Sequence, residues 1–187
     1  MKPATARRGR PLDPAVSQAA LTATLELLDE RGYLGLRVDD VAERAGIGTG
    51  ALYRRWKTKV ELVVAALTLA AAEQHVEPSD DPERDLLDGL VAIADSLGGR
   101  GGRLLALLFS GSEPELTEAI RAAKLVPLRD ANRDRLRRVI GDAPDLALRA
   151  DLGPGLIVMR FMADGRTMSR RQIKEQVIPQ MTSARRH

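Results

Sequence analysis

Residues that begin helices recur along this chain, whereas the pattern of a strand does not. Asp13-Pro14 and Asp81-Pro82 each place a capping carboxylate before a proline at the first helical position. Capping boxes, in which a hydroxyl residue precedes a glutamate by three positions, occur at Thr58–Glu61 and Ser112–Glu115. No segment alternates apolar and polar residues with the period of two that a half-buried strand requires. The sequence therefore predicts an all-α fold.

The caps, the glycines and the apolar stripes together predict about nine helices. The predicted helices cover residues 14–31, 38–45, 49–55, 59–74, 82–97, 103–109, 114–140, 145–164 and 169–182. Pro127 and Pro154 fall inside two of these segments. Because a proline removes a backbone hydrogen bond and crowds the preceding turn, we expect a kink at Pro127. At Pro154 we expect either a kink or a later helix start.

The composition excludes several classes of protein. Cysteine is absent, and histidine occurs only at positions 75 and 187. Disulfide frameworks, thiolate zinc sites and cysteine nucleophiles are thereby excluded, and little remains for base catalysis. We therefore expect no enzyme activity, no metal site and no cofactor. No apolar run approaches the length of a membrane span and no signal-peptide segment opens the chain, so a cytoplasmic protein without membrane contact is expected.

The excess of positive charge in the N-terminal part of the chain lies in the first ten residues. They contain Lys2, Arg7, Arg8 and Arg10 and no acidic residue, whereas acidic and basic residues balance over 11–59. A basic end indicates an anionic partner, and an N-terminal arm of this kind can follow the DNA backbone or enter a minor groove. A disordered, solvated tail is the alternative.

The stretch Val38–Trp56 is the most specific feature of the sequence. Two short predicted helices are joined there by a turn that contains Gly46, a residue tolerant of positive φ. This spacing is typical of the helix-turn-helix, whose second helix enters the major groove of DNA. Helix-turn-helix geometry also occurs in proteins that bind no DNA, so a helical protein-interaction module remains the alternative function.

The second helix of this motif offers side chains suited to DNA contact. Thr49, Gly50, Ala51, Tyr53 and Arg54 are predicted to point away from the side that carries Leu52. Small residues permit close approach to bases, and an arginine can bind guanine through two hydrogen bonds. The Tyr53 hydroxyl suits a phosphate contact. Arg54 and Arg55 are both expected to be unpaired within the protein.

The segments Gly32-Tyr33 and Val38–Leu62 resemble the DNA-binding domain of TetR-family transcriptional regulators. The resemblance implies a three-helix DNA-binding domain, a linking fourth helix, and a C-terminal domain that dimerises and usually binds a small ligand. The residues that fall where family members contact DNA are Arg37, Thr49, Gly50, Ala51, Tyr53, Arg54 and Lys59. Arg37 stands where the family usually has Thr or Ser, and it cannot cap the helix that follows it.

The resemblance and the charge pattern predict three parts of the chain. These are a disordered basic arm over 1–12, a helix-turn-helix domain over 13–58, and a helical ligand-binding and dimerisation domain over 59–187. The implied function is that of a ligand-responsive repressor that binds a palindromic operator as a homodimer. A regulator that activates, or one that lacks a small-molecule effector, is the alternative.

The last two predicted helices are candidates for the homodimer interface. Residues 156–163 are apolar almost all round, so one face can pack on the bundle and the other on a second copy. The candidate interface residues are Leu156, Arg160, Phe161, Ile173, Val177 and Ile178. Arg160 interrupts this apolar run. It is predicted to bind a ligand or a partner's carboxylate, or to form a structural ion pair with Asp164 or Glu175.

Apolar residues of the C-terminal domain are candidates for an effector chamber. They are Leu104, Leu107, Leu108, Phe109, Leu125, Leu128, Met159 and Met162. Leucine and methionine suit an adaptable pocket for a largely apolar ligand, and the core of the helical bundle is the alternative role for each of them. The resemblance implies that such a ligand would move the linking helix and change the spacing of two recognition helices.

Overall fold

The computed structural model describes residues 13–72, 78–99, 102, 105 and 113–183. Within these residues there are eight helices and no strand, which confirms the predicted all-α fold. The first five are α1 (Pro14–Gly35), α2 (Val38–Ala45), α3 (Thr49–Tyr53), α4 (Lys59–Ala72) and α5 (Pro82–Leu97). The basic arm over 1–12 lies outside the described residues, as does most of the helix predicted over 103–109.

Two of the last three helices contain a wider π-helical turn. Helix α6 runs through Pro114–Ile120, the π turn Arg121–Leu125 and Val126–Ile140. Helix α7 spans Leu146–Asp164. Helix α8 runs through Arg170–Gln172, the π turn Ile173–Val177 and Ile178–Thr182.

The predicted caps account for several of these helix starts. The Asp13 side chain accepts a hydrogen bond from the Ala15 N–H at 3.0 Å, and Asp81 accepts one from the Arg84 N–H at 3.0 Å. Thr58 accepts the Glu61 N–H at 3.1 Å, as a capping box requires. The Glu61 carboxylate reaches the N–H of Lys57 at 2.5 Å rather than that of Thr58.

The structure shows a change of helix type at the kink predicted for Pro127 in α6. The helix widens just before the proline, and the Val126 N–H donates to the carbonyl of Arg121, five residues earlier. Pro179 in α8 follows a π turn in the same way. A proline ring crowds the carbonyl four residues before it, and a turn with an extra residue relieves that contact.

Pro154 lies within α7, which begins at Leu146 and continues through the proline. Proline has no N–H, so the Ala150 carbonyl lacks the donor that residue 154 would otherwise supply. The Asn132 amide of α6 donates to that carbonyl instead, and both residues are buried. A side chain of one helix therefore replaces a backbone hydrogen bond missing from another.

The chain divides into two compact units, Met1–Ala66 and Leu67–His187, with the division inside α4. Buried side chains in the first unit include Leu27, Leu36, Val41, Leu52 and Leu62. In the second unit the core contains Leu86, Leu90, Leu136, Ile157 and Met181. Within the described ranges, no helix combines the length and the apolar character needed to cross a bilayer.

A glycine permits a close helix contact in the second unit. A Cβ atom at Gly153 would lie 2.5 Å from the Met181 Sδ atom and 2.9 Å from a methyl carbon of Leu90. Such distances are far below ordinary van der Waals separation, so no larger residue fits without displacing a neighbour. Gly153 thus allows α7 to approach both α5 and α8.

Candidate nucleic-acid interface

The turn between α2 and α3 forms as the sequence predicted. Gly46 is left-handed, with φ 65° and ψ 32°, and it ends α2. The Ile47 N–H donates to the Ala42 carbonyl at 3.0 Å, which closes the turn. Beyond the turn, Leu52 is buried and fixes one side of α3 against the domain core.

Ion pairs hold α2 on α1. They also occupy charged groups of the domain that would otherwise be available to contact DNA. Arg44 makes a bidentate contact with Glu30, with N–O distances of 2.5 and 3.0 Å. The Arg44 hydrogen bond lowers the pKa of the Glu30 carboxyl, and Glu30 in turn raises the pKa of Arg44. Arg31 pairs with Asp40 through one guanidinium nitrogen and one carboxylate oxygen. Arg31 and Arg44 therefore act within the domain.

The side of α3 away from Leu52 is open. Gly50, Tyr53 and Arg54 are exposed, with Tyr53 47% exposed. Neither the Tyr53 hydroxyl nor the Arg54 guanidinium forms a hydrogen bond or an ion pair with another residue in the described part of the chain, although the Arg54 guanidinium lies close to Gly50. The Tyr53 hydroxyl and the Arg54 guanidinium are therefore available for hydrogen bonds beside Gly50, which has no side chain.

The remaining predicted contact residues surround this open side. Thr49 is half-buried, and its hydroxyl lies 3.4 Å from an Asp39 carboxylate oxygen. Ala51 is also half-buried. Arg37 is exposed at the start of α2 and makes no side-chain cap, as predicted from its chemistry.

Lys59 begins α4, and its Nζ atom lies 4.2 Å from the centroid of the Tyr33 ring. This distance permits a cation–π attraction that orients the ammonium group. Tyr33 follows Gly32, whose φ of 68° and ψ of 180° interrupt the helical geometry of α1. The pairing of Tyr33 with Lys59 was not predicted, although the Gly32-Tyr33 pair was part of the motif.

The prediction that Arg55 is unpaired was wrong. Its Nε atom donates to the Ser17 hydroxyl at 3.0 Å, and its two terminal nitrogens donate to the carbonyls of Ala51 (3.0 Å) and Asp13 (3.3 Å). No local pattern indicates these contacts, because Ser17 and Asp13 lie about forty positions away along the chain. Arg54 is therefore the exposed member of the pair.

The predicted dimer residues fall into two groups. Leu156 and Arg160 are exposed, while Phe161 and Ile178 are half-buried against the core. Ile173 and Val177 are buried, with relative exposures of 0% and 1%. Their prediction as interface residues is corrected: they pack inside their own bundle and leave no surface for a partner. An apolar stripe alone does not distinguish a core face from an interface face.

Arg160 forms the structural ion pair that was one of its predicted roles. Its Nη1 atom lies 3.4 Å from the Asp164 carboxylate, one helical turn along α7, and both side chains are more than half exposed. Glu175, the other predicted partner, pairs with Arg171 at 3.0 Å.

The described members of the predicted chamber do not form an enclosed wall. Leu125, Leu128, Met159 and Met162 are 39–65% exposed, and Leu104, Leu107, Leu108 and Phe109 lie outside the described residues. Met159 and Met162 instead belong to an exposed apolar stripe on α7, formed by Leu148, Leu152, Leu156, Met159 and Met162. We call this set the α7 stripe.

Comparison with known proteins agrees with this geometry. A family model described as bacterial regulatory proteins, tetR family, matches residues 20–66. An uncharacterized HTH-type transcriptional regulator of Mycobacterium tuberculosis (Rv1556) is 30% identical over 168 residues, covering 84% of this chain and 83% of that protein. The fold and the open face of α3 define a helix-turn-helix transcriptional regulator. The chain belongs to the TetR family of bacterial regulatory proteins, and it is a DNA-binding regulator rather than an enzyme.

Solved structures share the whole fold. The TetR family transcription regulator SCO0332 aligns with a TM-score of 0.71 at 23% identity, over 91% of this chain and 99% of that one. The transcriptional regulator FadR of Bacillus subtilis, solved in complex with stearoyl-CoA, aligns with a TM-score of 0.65 at 16% identity, over 89% and 97%. At these identities the likeness concerns the fold.

Proposed function

We propose that this protein is a ligand-responsive repressor that binds a palindromic operator as a homodimer. The observation that carries the proposal is the open side of α3, where Tyr53 and Arg54 are exposed beside Gly50. A helix that buries Leu52 and leaves this side free can enter a major groove without rearrangement of the domain.

Each candidate contact has a role that follows from its chemistry. Arg54 reads a guanine edge, and Gly50 keeps the backbone close to the bases. The Thr49 methyl and Ala51 contact thymine methyl groups. Tyr53, Lys59 and Arg37 bind phosphates and fix the position of the helix on the duplex. The basic arm over 1–12 adds phosphate or minor-groove contacts outside the major-groove site.

The α7 stripe supports the homodimer. It places five large apolar side chains, each at least 38% exposed, at helical spacing along α7. A face of this kind is covered most simply by its own copy, since a two-fold axis makes one patch self-complementary. The same helix carries the Arg160–Asp164 pair, one charge of each sign. In a two-fold arrangement, Arg160 of each copy can face Asp164 of the other. Two copies would present two recognition helices to two half-sites.

The proposed effector is a largely apolar small molecule. The support is the apolar character of residues 104–109, which contain Leu104, Leu105, Leu107, Leu108 and Phe109. The stearoyl-CoA bound to FadR joins a long apolar acyl chain to a charged coenzyme A group, and it is held by a similar fold. A long-chain acyl-CoA is therefore the first probe to use.

Selection from a random-sequence duplex library tests the operator and the dimer together. We expect the unaltered protein to enrich an inverted repeat and to bind it at two chains per duplex, measured by sedimentation. Enrichment of no duplex would contradict operator binding, and a single half-site bound by one chain would contradict the homodimer.

The enriched duplex then tests regulation. Placed between a promoter and a reporter gene, it should lower reporter output when the protein is expressed, and increased output would indicate an activator. Stearoyl-CoA should release the protein from the duplex in a fluorescence anisotropy assay. Failure of acyl-CoA esters and free fatty acids alike to release it would contradict an effector of this class.

A further inference from the structure

Helix α3 is too short to hold its own orientation. It contains five residues, its N-cap Gly48 supplies no side-chain hydrogen bond, and only Leu52 among its residues is buried. Isolated helices of this length are unstable in water, so contacts outside the helix must fix its direction. Leu52 positions the helix, and the Thr49 hydroxyl adds a contact of 3.4 Å to Asp39 on α2.

Arg55 supplies contacts at the end of α3 that Leu52 cannot supply. One of its terminal nitrogens donates to the Ala51 carbonyl, which lies in the last turn of α3. Carbonyls at helix ends lack intrahelical partners, and an arginine side chain can satisfy them. The other two donors reach the Ser17 hydroxyl and the Asp13 carbonyl in the first turn of α1. One planar group thus joins the last turn of α3 to the first turn of α1.

We propose that Arg55 is a positioning residue for DNA recognition: it sets the tilt of α3 against α1 and so aims Tyr53 and Arg54. Asp13 also caps α1, and the basic arm joins the chain there. The same contact therefore holds Asp13 beside the end of α3. This inference rests on the proposed roles of Tyr53 and Arg54 in binding DNA.

The chemistry of arginine explains why lysine cannot take this role. The guanidinium presents several N–H donors in a rigid fork, and here three acceptors lie in three directions around it. A lysine ammonium keeps the charge but is a single point on a flexible stem. Arg55→Lys therefore removes the three directed hydrogen bonds and preserves the positive charge. The variant distinguishes a positioning role from a phosphate contact, because a phosphate contact depends mainly on the charge.

The test compares Arg55→Lys, Arg55→Ala and Ser17→Ala with the unaltered protein. Two probes are used: the duplex that the unaltered protein enriches from a random library, and an unselected random duplex. For each, the affinity is measured at several salt concentrations, at temperatures where circular dichroism shows every variant folded. The ratio of the two affinities reports specificity, and the slope of log affinity against log salt reports phosphate contacts.

We expect both Arg55 variants to lose about tenfold to a hundredfold of the affinity ratio, since a tilted helix forfeits at least one base contact. Their salt slopes should match that of the unaltered protein. Ser17→Ala should reduce the ratio by a smaller factor in the same direction, with no further effect in the Arg55→Lys background. Arg54→Ala serves as the comparator that removes a contact directly.

Three results would overturn the inference. The first is an affinity ratio unchanged in Arg55→Lys. The second is a salt slope lowered by about one in Arg55→Ala, which would make Arg55 itself a phosphate contact. The third is a lower melting temperature with no change in the affinity ratio, which would make the role of Arg55 merely structural.

If Arg55→Ala does not fold, Arg55→Lys and Ser17→Ala decide the question. If the unaltered protein enriches no duplex, the proposed function fails before the variants are compared.

Discussion

Asn132 on α6 donates its amide hydrogen bond to the carbonyl of Ala150 on α7, which Pro154 leaves without an intrahelical donor. Both partners are buried, so water cannot take the place of the amide. An unpaired buried carbonyl costs about 1–3 kcal/mol. The proline in α7 and the asparagine in α6 therefore form one structural feature, although they lie on different helices.

This pairing predicts that Asn132→Leu destabilises the protein by about 1–3 kcal/mol, measured by urea unfolding. Pro154→Ala restores an N–H at position 154, so the loss caused by Asn132→Leu should become smaller in the Pro154→Ala background. The double-mutant cycle isolates this coupling. Strictly additive effects of the two substitutions would show that Asn132 does not compensate for the proline.

DNA affinity should fall when the open side of α3 is removed. Tyr53→Ala with Arg54→Ala is expected to weaken binding to the enriched duplex by about 2–4 kcal/mol, since one bidentate base contact and one phosphate contact are lost. Fluorescence anisotropy measures the change. Arg171→Ala is the matched control, because that arginine is exposed on α8 in the second unit. Equal affinity of the double variant and the control would contradict the placement of the recognition helix.

A charged residue within the α7 stripe should weaken the dimer. Leu156 is 39% exposed, so Leu156→Glu is tolerated in a monomer but places an unpaired carboxylate in a dimer interface. We expect the dimer dissociation constant to rise about a hundredfold or more, as read by analytical ultracentrifugation. Gln176→Glu introduces the same charge at an exposed position of α8 and should leave the dimer intact. A Leu156→Glu protein that stays dimeric would place the interface elsewhere.

Acid should weaken the contact between the start of α5 and α6. Hydrogen bonds from the Ser79 hydroxyl and N–H, with help from Arg138, lower the pKa of Asp85 to about 2. The Ser79 hydroxyl lies 2.6 Å from Asp85 Oδ1, and an Arg138 nitrogen lies 2.5 Å from Oδ2. Because the folded pKa lies below the ordinary value of 3.8, this stabilisation is complete above that pH and is lost as the pH falls toward 2.

Asp85→Asn tests this dependence by urea unfolding at several pH values. At neutral pH the variant should be less stable than the unaltered protein, and the difference should shrink as the pH falls below 4. A difference that stays constant between pH 6 and pH 2.5 would show that the carboxylate charge is not responsible.

The sequence predicted the helices well because their ends depend on local chemistry. Asp13, Thr58 and Asp81 accept hydrogen bonds from residues two or three positions away, and these spacings can be read directly. Arg55 could not be assigned in this way, since its acceptors depend on the packing of α3 against α1. Ile173 was misplaced for a related reason: periodicity shows that a face is apolar but not what covers it.

The extra residue in the π turn before Pro127 also changes the rotation of one half of α6 relative to the other about the helix axis. Leu116 and Ile120 are buried before the turn, and Asn132 and Leu136 are buried after it. About eleven residues make three turns of a regular α-helix, so a residue twelve positions beyond Ile120 would be rotated by about 120° from it. The wider turn absorbs one position and brings the two pairs toward the same side of the helix. Deletion of one residue between 121 and 125 should therefore be tolerated best when Pro127→Ala accompanies it, because a regular α-helix then restores the same alignment.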